Sequence, residues 1–344
     1  MKAVGLYRYL PISDPESLLD LDVEKPVPGN RDLLVRVKAI SVNPVDTKIR
    51  APKEQVENPP RILGWDVSGV VEQVGEGCRL FKPGDEVYYA GSITRPGGNS
   101  EFHLVDERIT GHKPKSLDFA QAAALPLTTL TAWEGLFDRL GISQRLSENQ
   151  GKRILIIGAA GGVGSIATQL ANQAGLTVIG TATRPESVRW ACEHGAHHTL
   201  DYRQPFTSQL QQFGFETVDY IFCLNSTDAH WDNMVAAIAP QGKICSIVET
   251  DTPLDITALQ HKSATFAWEF MFTRSMYQTP DMIKQHDLLN AVADLIDAGR
   301  IQTTLNERLS PINAATLRQA HAHLEEGRTI GKVVLEGFST EENS

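Results

Sequence analysis

Cysteine is scarce in this chain. The four present, Cys78, Cys192, Cys223 and Cys245, lie far apart, and no Cys-x-x-Cys pair exists. That spacing excludes a structural zinc lobe or a dithiol redox motif of the usual kind, and the scattered thiols are expected to be buried as small hydrophobes. Positive charge is also short: 32 Lys and Arg stand against 42 Asp and Glu, a formal net charge of −10. That is the wrong sign for a protein whose main partner is nucleic acid. No apolar run approaches the roughly 18–20 residues needed to span a bilayer. The N-terminus, MKAVGLYRYLPISDPE, turns acidic early and lacks a signal-peptide apolar stretch. The expectation is a cytoplasmic protein with neither nucleic acid nor a membrane as partner.

At 344 residues the chain is too long for one comfortable core, and two domains are expected. Its first part reads as short strands punctuated by Gly/Pro turns. Val35, Val37 and Ala39 alternate with Arg36 and Lys38; Val67–Val74, Glu86–Ala90 and Glu101–Val105 follow, which implies a small barrel or sandwich. Near residue 118 the texture changes, with helical patterns over Asp118–Leu125 and Thr131–Leu140. From Ile154–Ile157, a continuous apolar run suited to a strand buried on both faces, strands and helices alternate. Strands are expected at Thr177–Ala182, His198–Asp201, Val218–Cys223 and Lys243–Val248, helices at Val163–Ala174 and Pro185–His194, and a turn at Pro240-Gln241-Gly242. Such alternation specifies an α/β fold with a doubly wound parallel sheet. A helix over Asp287–Ala298 and a strand at Gly331–Leu335 complete the pattern, and the polar tail Ser339–Ser344 is expected to fray.

Gly158-Ala159-Ala160-Gly161-Gly162-Val163-Gly164 lies between the first buried strand and its helix. Small residues there let the backbone approach a diphosphate, and the helix N-terminus supplies unpaired N–H groups and partial positive charge. The pattern is looser than G-x-G-x-x-G because Ala160 takes the second glycine's place, so the strand–turn–helix context carries the reading. The alternative is a tight turn with no ligand. A dinucleotide site without a 2′-phosphate usually has Asp or Glu at the end of the second strand. Here Thr183-Arg184-Pro185-Glu186-Ser187 follows, and the first charge is Arg184, a cation suited to a 2′-phosphate, with Thr183 and Ser187 as hydroxyl donors. NADPH is therefore expected over NADH, although Glu186 stands close by and Arg184 also reads as a solvated loop cation.

The order of parts resembles the medium-chain dehydrogenase/reductase superfamily. Gly64-Trp65-Asp66-Val67-Ser68-Gly69-Val70-Val71-Glu72-Gln73-Val74-Gly75 is similar to its G-H-E-x-x-G-x-V-x-x-V-G segment, and Lys82-Pro83-Gly84-Asp85-Glu86-Val87 to its G-D-x-V turn. Ala122–Trp133 resembles the run leading into the cofactor domain. The resemblance implies a Rossmann domain, 127–268, inserted into a β-rich GroES-like catalytic domain, 1–126 and 269–344. It also implies a homodimer. In zinc members a cysteine and the G-H-E histidine hold the metal, but here Ser41–Asp46 contains no cysteine and Trp65 replaces the histidine. An indole offers only an N–H donor. No metal site is expected, although the subgroup of closest resemblance is labelled zinc-type alcohol dehydrogenase-like; Trp268–Tyr277 is its distinguishing stretch.

Ser41–Arg50 instead resembles the N-x-x-D segment of zinc-free quinone oxidoreductases. That resemblance makes Asn43 and Asp46, with Trp65, the catalytic candidates, Asn43 as a donor to a developing oxyanion. The plainer reading is an Asn-Pro turn and an Asp46–Arg50 helix pair. The cofactor is expected at Thr129, Ala160, Gly161, Gly162, Val163, Thr183, Arg184, Ser187, Tyr202, Leu224, Val248 and Lys332, of which Tyr202 and Lys332 are implied by the resemblance. Trp268, Phe270 and Phe272 alternate as one strand face does, consistent with core or with a substrate wall. His197-His198 and His321/His323 are not spaced as metal ligands on one helix face and read as surface or satisfied histidines. Hydride transfer from NADPH without a Lewis acid suits quinones, or alkenes conjugated to a carbonyl. A quinone reductase is the first expectation and an enone or enoyl reductase the second. A catalytically silent NADPH-binding protein and a zinc alcohol dehydrogenase are more distant.

Overall fold

The computed structural model describes residues 1–338, so the tail expected to fray lies outside the described residues. In chain order the strands are β1 Lys2–Tyr9, β2 Leu19–Asp22, β3 Asp32–Ser41, β4 Lys53–Ile62, β5 Val67–Val74, β6 Glu86–Tyr89, β7 Phe102–Asp106, β8 Gly111–His112, β9 Arg153–Ile157, β10 Thr177–Thr181, β11 His198–Leu200, β12 Val218–Cys223, β13 Ile238–Ser246, β14 Thr265–Trp268, β15 Leu305–Leu309 and β16 Lys332–Glu336. The α-helices are α1 Pro44–Arg50, α2 Phe119–Ala123, α3 Pro126–Trp133, α4 Gly162–Gln173, α5 Pro185–Glu193, α6 Phe206–Gln212, α7 Thr227–Ala237, α8 Thr273–Tyr277, α9 Lys284–Asp297 and α10 Ala314–Glu325. The chain divides into two compact units, Met1–Leu127 with Phe272–Ser344, and Thr128–Met271. No described helix is long and apolar enough to cross a membrane.

The first unit is built on β3. Its alternation buries Val35, Val37 and Ala39 while Arg36 and Lys38 face solvent, as a half-buried strand requires. It pairs antiparallel with β5, from Leu33 opposite Val74 to Ile40 opposite Val67, and also with β7. Its last residues pair with β16, Leu335 opposite Ile40 and Val334 opposite Ser41. The resulting seven-stranded sheet runs β15-β16-β3-β5-β6-β8 with β7 on β3, and β2-β1-β4 form a separate three-stranded sheet. The β3–β16 pairing matters most for function, because it sets Lys332 beside the segment that follows β3. There Pro44 opens α1, its fixed φ suited to a first helical position.

The second unit is a six-stranded, all-parallel sheet in the order β11-β10-β9-β12-β13-β14. This is the doubly wound Rossmann order, with its reversal between β9 and β12. β9 reads as an uninterrupted apolar run because Ile154, Leu155, Ile156 and Ile157 are all buried. One face packs Leu155, Ile157, Ile221, Cys223 and Ile244 against Phe206, Leu210, Trp231 and Met234.

Four local expectations are corrected. Pro240-Gln241-Gly242 is not a turn between elements but a bulge inside β13. Val218 opposes Ile238 and Tyr220 opposes Lys243, so four residues of β13 stand against Asp219 alone, and Gln241 takes φ +61°. The helix expected from Thr131 starts at Pro126 and widens into a π-helical turn over Glu134–Arg139. A Cβ on Gly135 in that turn would lie 2.2 Å from Phe222 Cζ, so the wide turn and the missing side chain together make room for the ring. Trp268 and Phe270 are 48% and 47% exposed while Phe272 is buried, so the three aromatics do not share one face, and of them only Phe272 packs as core. Of the four cysteines expected in the core, Cys192 on α5 is exposed.

Gly135→Ala is expected to destabilise the second unit by about 1–3 kcal/mol through overpacking. Denaturant unfolding checks it, and Phe222→Leu in the same chain should recover part of the loss. Equal losses with and without Phe222 would mean that the ring does not dictate the glycine.

Candidate functional site

Three groups of residues carry chemical potential, each within one unit. The first is the turn from β9 into α4. Gly164 lies so close to it that a Cβ would sit 2.2 Å from the Gly158 carbonyl oxygen, which fixes a glycine for packing alone. Gly161 differs. It is the N-cap of α4, its φ is −76°, and a Cβ there would meet only the Gly158 oxygen at 3.4 Å. Nothing inside the unit demands glycine at 161, so the cleared space is what a ligand's phosphates would use. Ala160 is buried, and Gly162 and Val163 are half-buried at the start of the helix. The Gly158 N–H donates to Thr181 Oγ1 at 2.9 Å, which ties this turn to the end of β10. Leu224 follows β12 across the strand-order reversal, and its N–H donates to the Ile157 carbonyl at 3.1 Å. The Val248 carbonyl accepts from Thr227 Oγ1 at 2.6 Å. Thr129 on α3 is fully buried, with no hydrogen-bond partner for its hydroxyl.

The end of β10 is polar in a particular way. Arg184 caps α5: its N–H donates to Ser187 Oγ at 3.2 Å, and that hydroxyl donates to the Arg184 carbonyl at 2.9 Å. The Ser187 hydrogen is thus engaged locally and does not suit the donor role expected of it. Thr183 is half-buried. The Arg184 guanidinium is partly exposed and stands 3.4 Å from Glu186, an exposed pair of small energetic weight. Tyr202, beyond β11, is 46% exposed, with its ring edge-on to His230.

The second group lies in the first unit, where Asn43, Asp46, Asp66 and Lys332 are all buried. Lys332 Nζ donates to the Val42 carbonyl at 2.7 Å and to Asn43 Oδ1 at 2.5 Å, and it stands 3.1 Å from Asp66 Oδ2. Its three hydrogens are engaged within the unit, which leaves none for the cofactor contact that the resemblance assigned. Asn43 Nδ2 donates to Asp66 Oδ2 at 2.8 Å and faces the Ser41 carbonyl at 3.5 Å. The carboxamide is therefore a connector between Lys332 and Asp66, and it does not suit the role of free oxyanion donor. Asp66 Oδ1 accepts from the Leu127 N–H at 2.7 Å. Burial pushes Asp66 up and Lys332 down toward their neutral forms, and their mutual attraction opposes both shifts.

Asp46 Oδ2 accepts from the Asn43 N–H at 2.6 Å, closing the start of α1. Its other oxygen is buried, and the Gly64 N–H lies beside the carboxyl. Burial pushes this carboxyl up to about 7, while Lys332 pulls it down and Asp66 adds to the rise. The helix pair expected between Asp46 and Arg50 does not form. Arg50 is buried and turns instead to the Leu10 carbonyl and the Glu325 carboxylate. Trp65 is 1% exposed; its N–H donates to the Ser92 carbonyl at 3.2 Å and its ring lies edge-on to Phe272. Asp66 escaped the sequence reading, although it is the third residue of Gly64-Trp65-Asp66, where the family has an acid.

The third group also went unread. Glu134 and Glu269 are both buried and hydrogen-bond each other, and Arg139 Nε reaches Glu269 Oε2 at 2.8 Å. Burial, then the neighbouring Glu134, push Glu269 up to about 8. Among the histidines, His321 is buried without a hydrogen bond to either ring nitrogen and burial pushes it down to about 3. His197 Nδ1 accepts from the Val178 N–H at 2.9 Å. Among the described residues no three His, Cys, Asp or Glu side chains are grouped as metal ligands.

These features meet a defined set of relatives. The alcohol dehydrogenase GroES-like domain matches residues 29–120 and the zinc-binding dehydrogenase family matches residues 194–335. The zinc-type alcohol dehydrogenase-like protein of Staphylococcus aureus (strain MSSA476) is 43% identical over 97% of this chain and 99% of its own. The chain belongs to the medium-chain dehydrogenase/reductase superfamily, in its zinc-type alcohol dehydrogenase-like branch. It is an oxidoreductase of that superfamily. Quinone oxidoreductase of Pseudomonas aeruginosa is 32% identical over 93% of this chain and 96% of its own. The crystal structure of Escherichia coli quinone oxidoreductase complexed with NADPH superposes with a TM-score of 0.81 at 26% identity, covering 98% of this chain and all of that one. The zinc in the superfamily's labels finds a poor fit here. The segment Ser41–Asp46 offers no thiolate, and the indole at 65 cannot ligate and is already hydrogen-bonded.

Glu269 has a testable pH signature. Its folded value, about 8, exceeds its ordinary 4.5, so the folded unit keeps a proton that the unfolded chain releases. The stability it contributes is full below about 4.5 and declines as pH rises through about 8. Denaturation midpoints measured across that window should fall with pH in the wild type, and Glu269→Gln should flatten the slope. An unchanged slope would mean that Glu269 is not held in its protonated form.

Proposed function

We propose that the chain is an NADPH-dependent reductase that delivers hydride to a quinone, or to an alkene conjugated to a carbonyl, without a catalytic metal. The observation that carries the cofactor choice is Arg184. It is the first charged side chain after β10 and caps the following helix, and Glu186, the nearby acid, is salt-bridged to it. A 2′-phosphate brings about two negative charges to that point, and a guanidinium is the side chain best matched to them. The cleared backbone at Gly161 and the N-terminus of α4 would hold the diphosphate. Ala160, Gly162, Val163 and Leu224 flank that position; Thr129, Thr183, Tyr202 and Val248 complete the proposed cofactor set.

The bound reduced nicotinamide supplies the hydride. The chain's own contribution is binding and orientation. With no thiolate in Ser41–Asp46 and an indole at 65, no step is routed through zinc. Acceptors that delocalise incoming charge need less polarisation than a simple ketone, which favours quinones and enones. The relatives named quinone oxidoreductase, one of them complexed with NADPH, support the quinone class and the cofactor. Two copies of the chain are expected to act as a cytoplasmic homodimer.

Steady-state assays with a quinone panel and an enone panel test the acceptor, and turnover of enones alone would replace the first class with the second. Arg184→Ala is expected to raise KM for NADPH by about 10- to 100-fold, the scale of a lost charge-assisted phosphate contact, and to leave KM for NADH nearly unchanged. A parallel loss with both coenzymes would remove the 2′-phosphate role.

A further inference from the structure

A 2′-phosphate carries roughly 1.5 to 2 negative charges near neutral pH, more than the single guanidinium of Arg184 balances. A second cation stands at the same edge of the sheet. β10 and β11 are parallel neighbours, paired from Ile179 opposite His198 to Thr181 opposite Leu200, and beyond the last pair the Ala182 N–H donates to the Leu200 carbonyl at 3.0 Å. Arg184 lies three residues past Thr181, and Arg203 lies three residues past Leu200. Two arginines therefore follow adjacent strands, spaced about 4.8 Å where they pair, at the same remove and from the same end.

The segment that carries Arg203 is pinned from two helices. Gln209 on α6 accepts from the Asp201 N–H at 2.8 Å and donates to the Asp201 carbonyl at 2.9 Å. The Tyr202 ring lies edge-on to His230 on α7. Asp201 Oδ1 accepts from the Arg203 N–H at 2.9 Å, which closes the turn around Tyr202. The backbone is thus held while the Arg203 side chain is 64% exposed. Its guanidinium folds back on Asp201, Nε to Oδ1 at 2.9 Å and Nη2 to Oδ2 at 2.7 Å, and Arg184 stands against Glu186 in the same way. Exposed pairs of this kind weigh little, so either guanidinium can exchange its own carboxylate for a more highly charged anion.

Resting on the NADPH reading above, we propose that Arg203 is a second specificity-determining residue: its guanidinium turns from Asp201 to the 2′-phosphate and holds that group jointly with Arg184. The fork of N–H donors that spans the two oxygens of Asp201 suits two phosphate oxygens equally. NADH presents a 2′-hydroxyl at that place, which brings no charge to draw the side chain away from Asp201. Arg203 therefore contributes to the binding of one coenzyme and not of the other.

Calorimetric titration of the full chain with NADPH, with NADH, and with adenosine 2′,5′-bisphosphate against adenosine 5′-monophosphate tests this without turnover. Arg203→Ala should weaken NADPH and the bisphosphate by about tenfold, the scale of one charged hydrogen bond, and leave NADH and the monophosphate nearly unchanged. Arg203→Lys keeps the charge and loses the fork, so its NADPH affinity should fall between those of the wild type and Arg203→Ala; it also serves if the alanine variant does not fold. The double variant Arg184→Ala, Arg203→Ala should bind the two coenzymes alike. An Arg203→Ala chain that keeps the wild-type preference, or that weakens both coenzymes equally, overturns the proposal. If that preference survives Arg203→Ala but is lost in Arg184→Ala, the NADPH reading stands and the second cation falls. If the wild type itself does not prefer NADPH, the coenzyme reading fails and takes this proposal with it, a result already visible before any substitution.

Discussion

Between Ile157 and Val163 the chain passes from a strand buried on both faces to a helix, and it does so almost without side chains. Gly164 must pack against the Gly158 carbonyl for α4 to lie on the sheet at all, and the turn is further tied down by Thr181 at the end of β10. The geometry that lets the helix close on the sheet also leaves its first N–H groups uncovered, beside the point where the strand order reverses. The proposed binding of a diphosphate there would use groups that the fold's packing already leaves in place. Arg184, at the end of the adjacent strand, adds a charge that the turn itself does not have.

The first unit meets a different constraint, the cost of burying charge. Lys332 and Asp66 are both removed from water, and such a pair persists only when the remaining donors and acceptors are satisfied. Here they are: Val42, Asn43 and Leu127 complete the set. Asn43 is thereby fixed as part of the charge cluster, and α1 is anchored by the Asp46 carboxyl. The polar residues around Asn43 are thus explained by electrostatics within the unit before any ligand is considered. Glu134, Glu269 and Arg139 pose the same problem in the second unit, where burial and Glu134 push Glu269 toward its neutral form and Arg139 opposes the shift.

Much of the fold was legible because its strongest signals are local. The β9 run, the alternation in β3, and the strand–turn–helix around Gly158–Gly164 are each visible within about ten residues, the range over which periodicity speaks. The errors fall where a distant partner decides. Pro240-Gln241-Gly242 has turn chemistry, yet β12 pairs with Ile238 before it and with Lys243–Ser246 after it, so it lies as a bulge within one strand. Asp46 and Arg50 have helix-pair spacing, but Asp46 is claimed by the Asn43 N–H and Arg50 by Glu325, 275 residues away. Asn43 looked like a free donor because Lys332 lies 289 residues along the chain. Asp66 lies within the motif, but its role is set by Lys332 and by the Leu127 N–H, both distant in sequence.

The proposed seating of a phosphorylated dinucleotide on the second unit, pyrophosphate at the β9–α4 turn and 2′-phosphate at Arg184, is what would tie these observations together. Isothermal titration calorimetry of the unliganded protein with NADPH and with NADH tests it most directly. Saturable uptake of both, with NADPH bound at least about tenfold tighter, a difference of about 1.4 kcal/mol, is the predicted result. Tighter binding of NADH, or no binding of either, would contradict it.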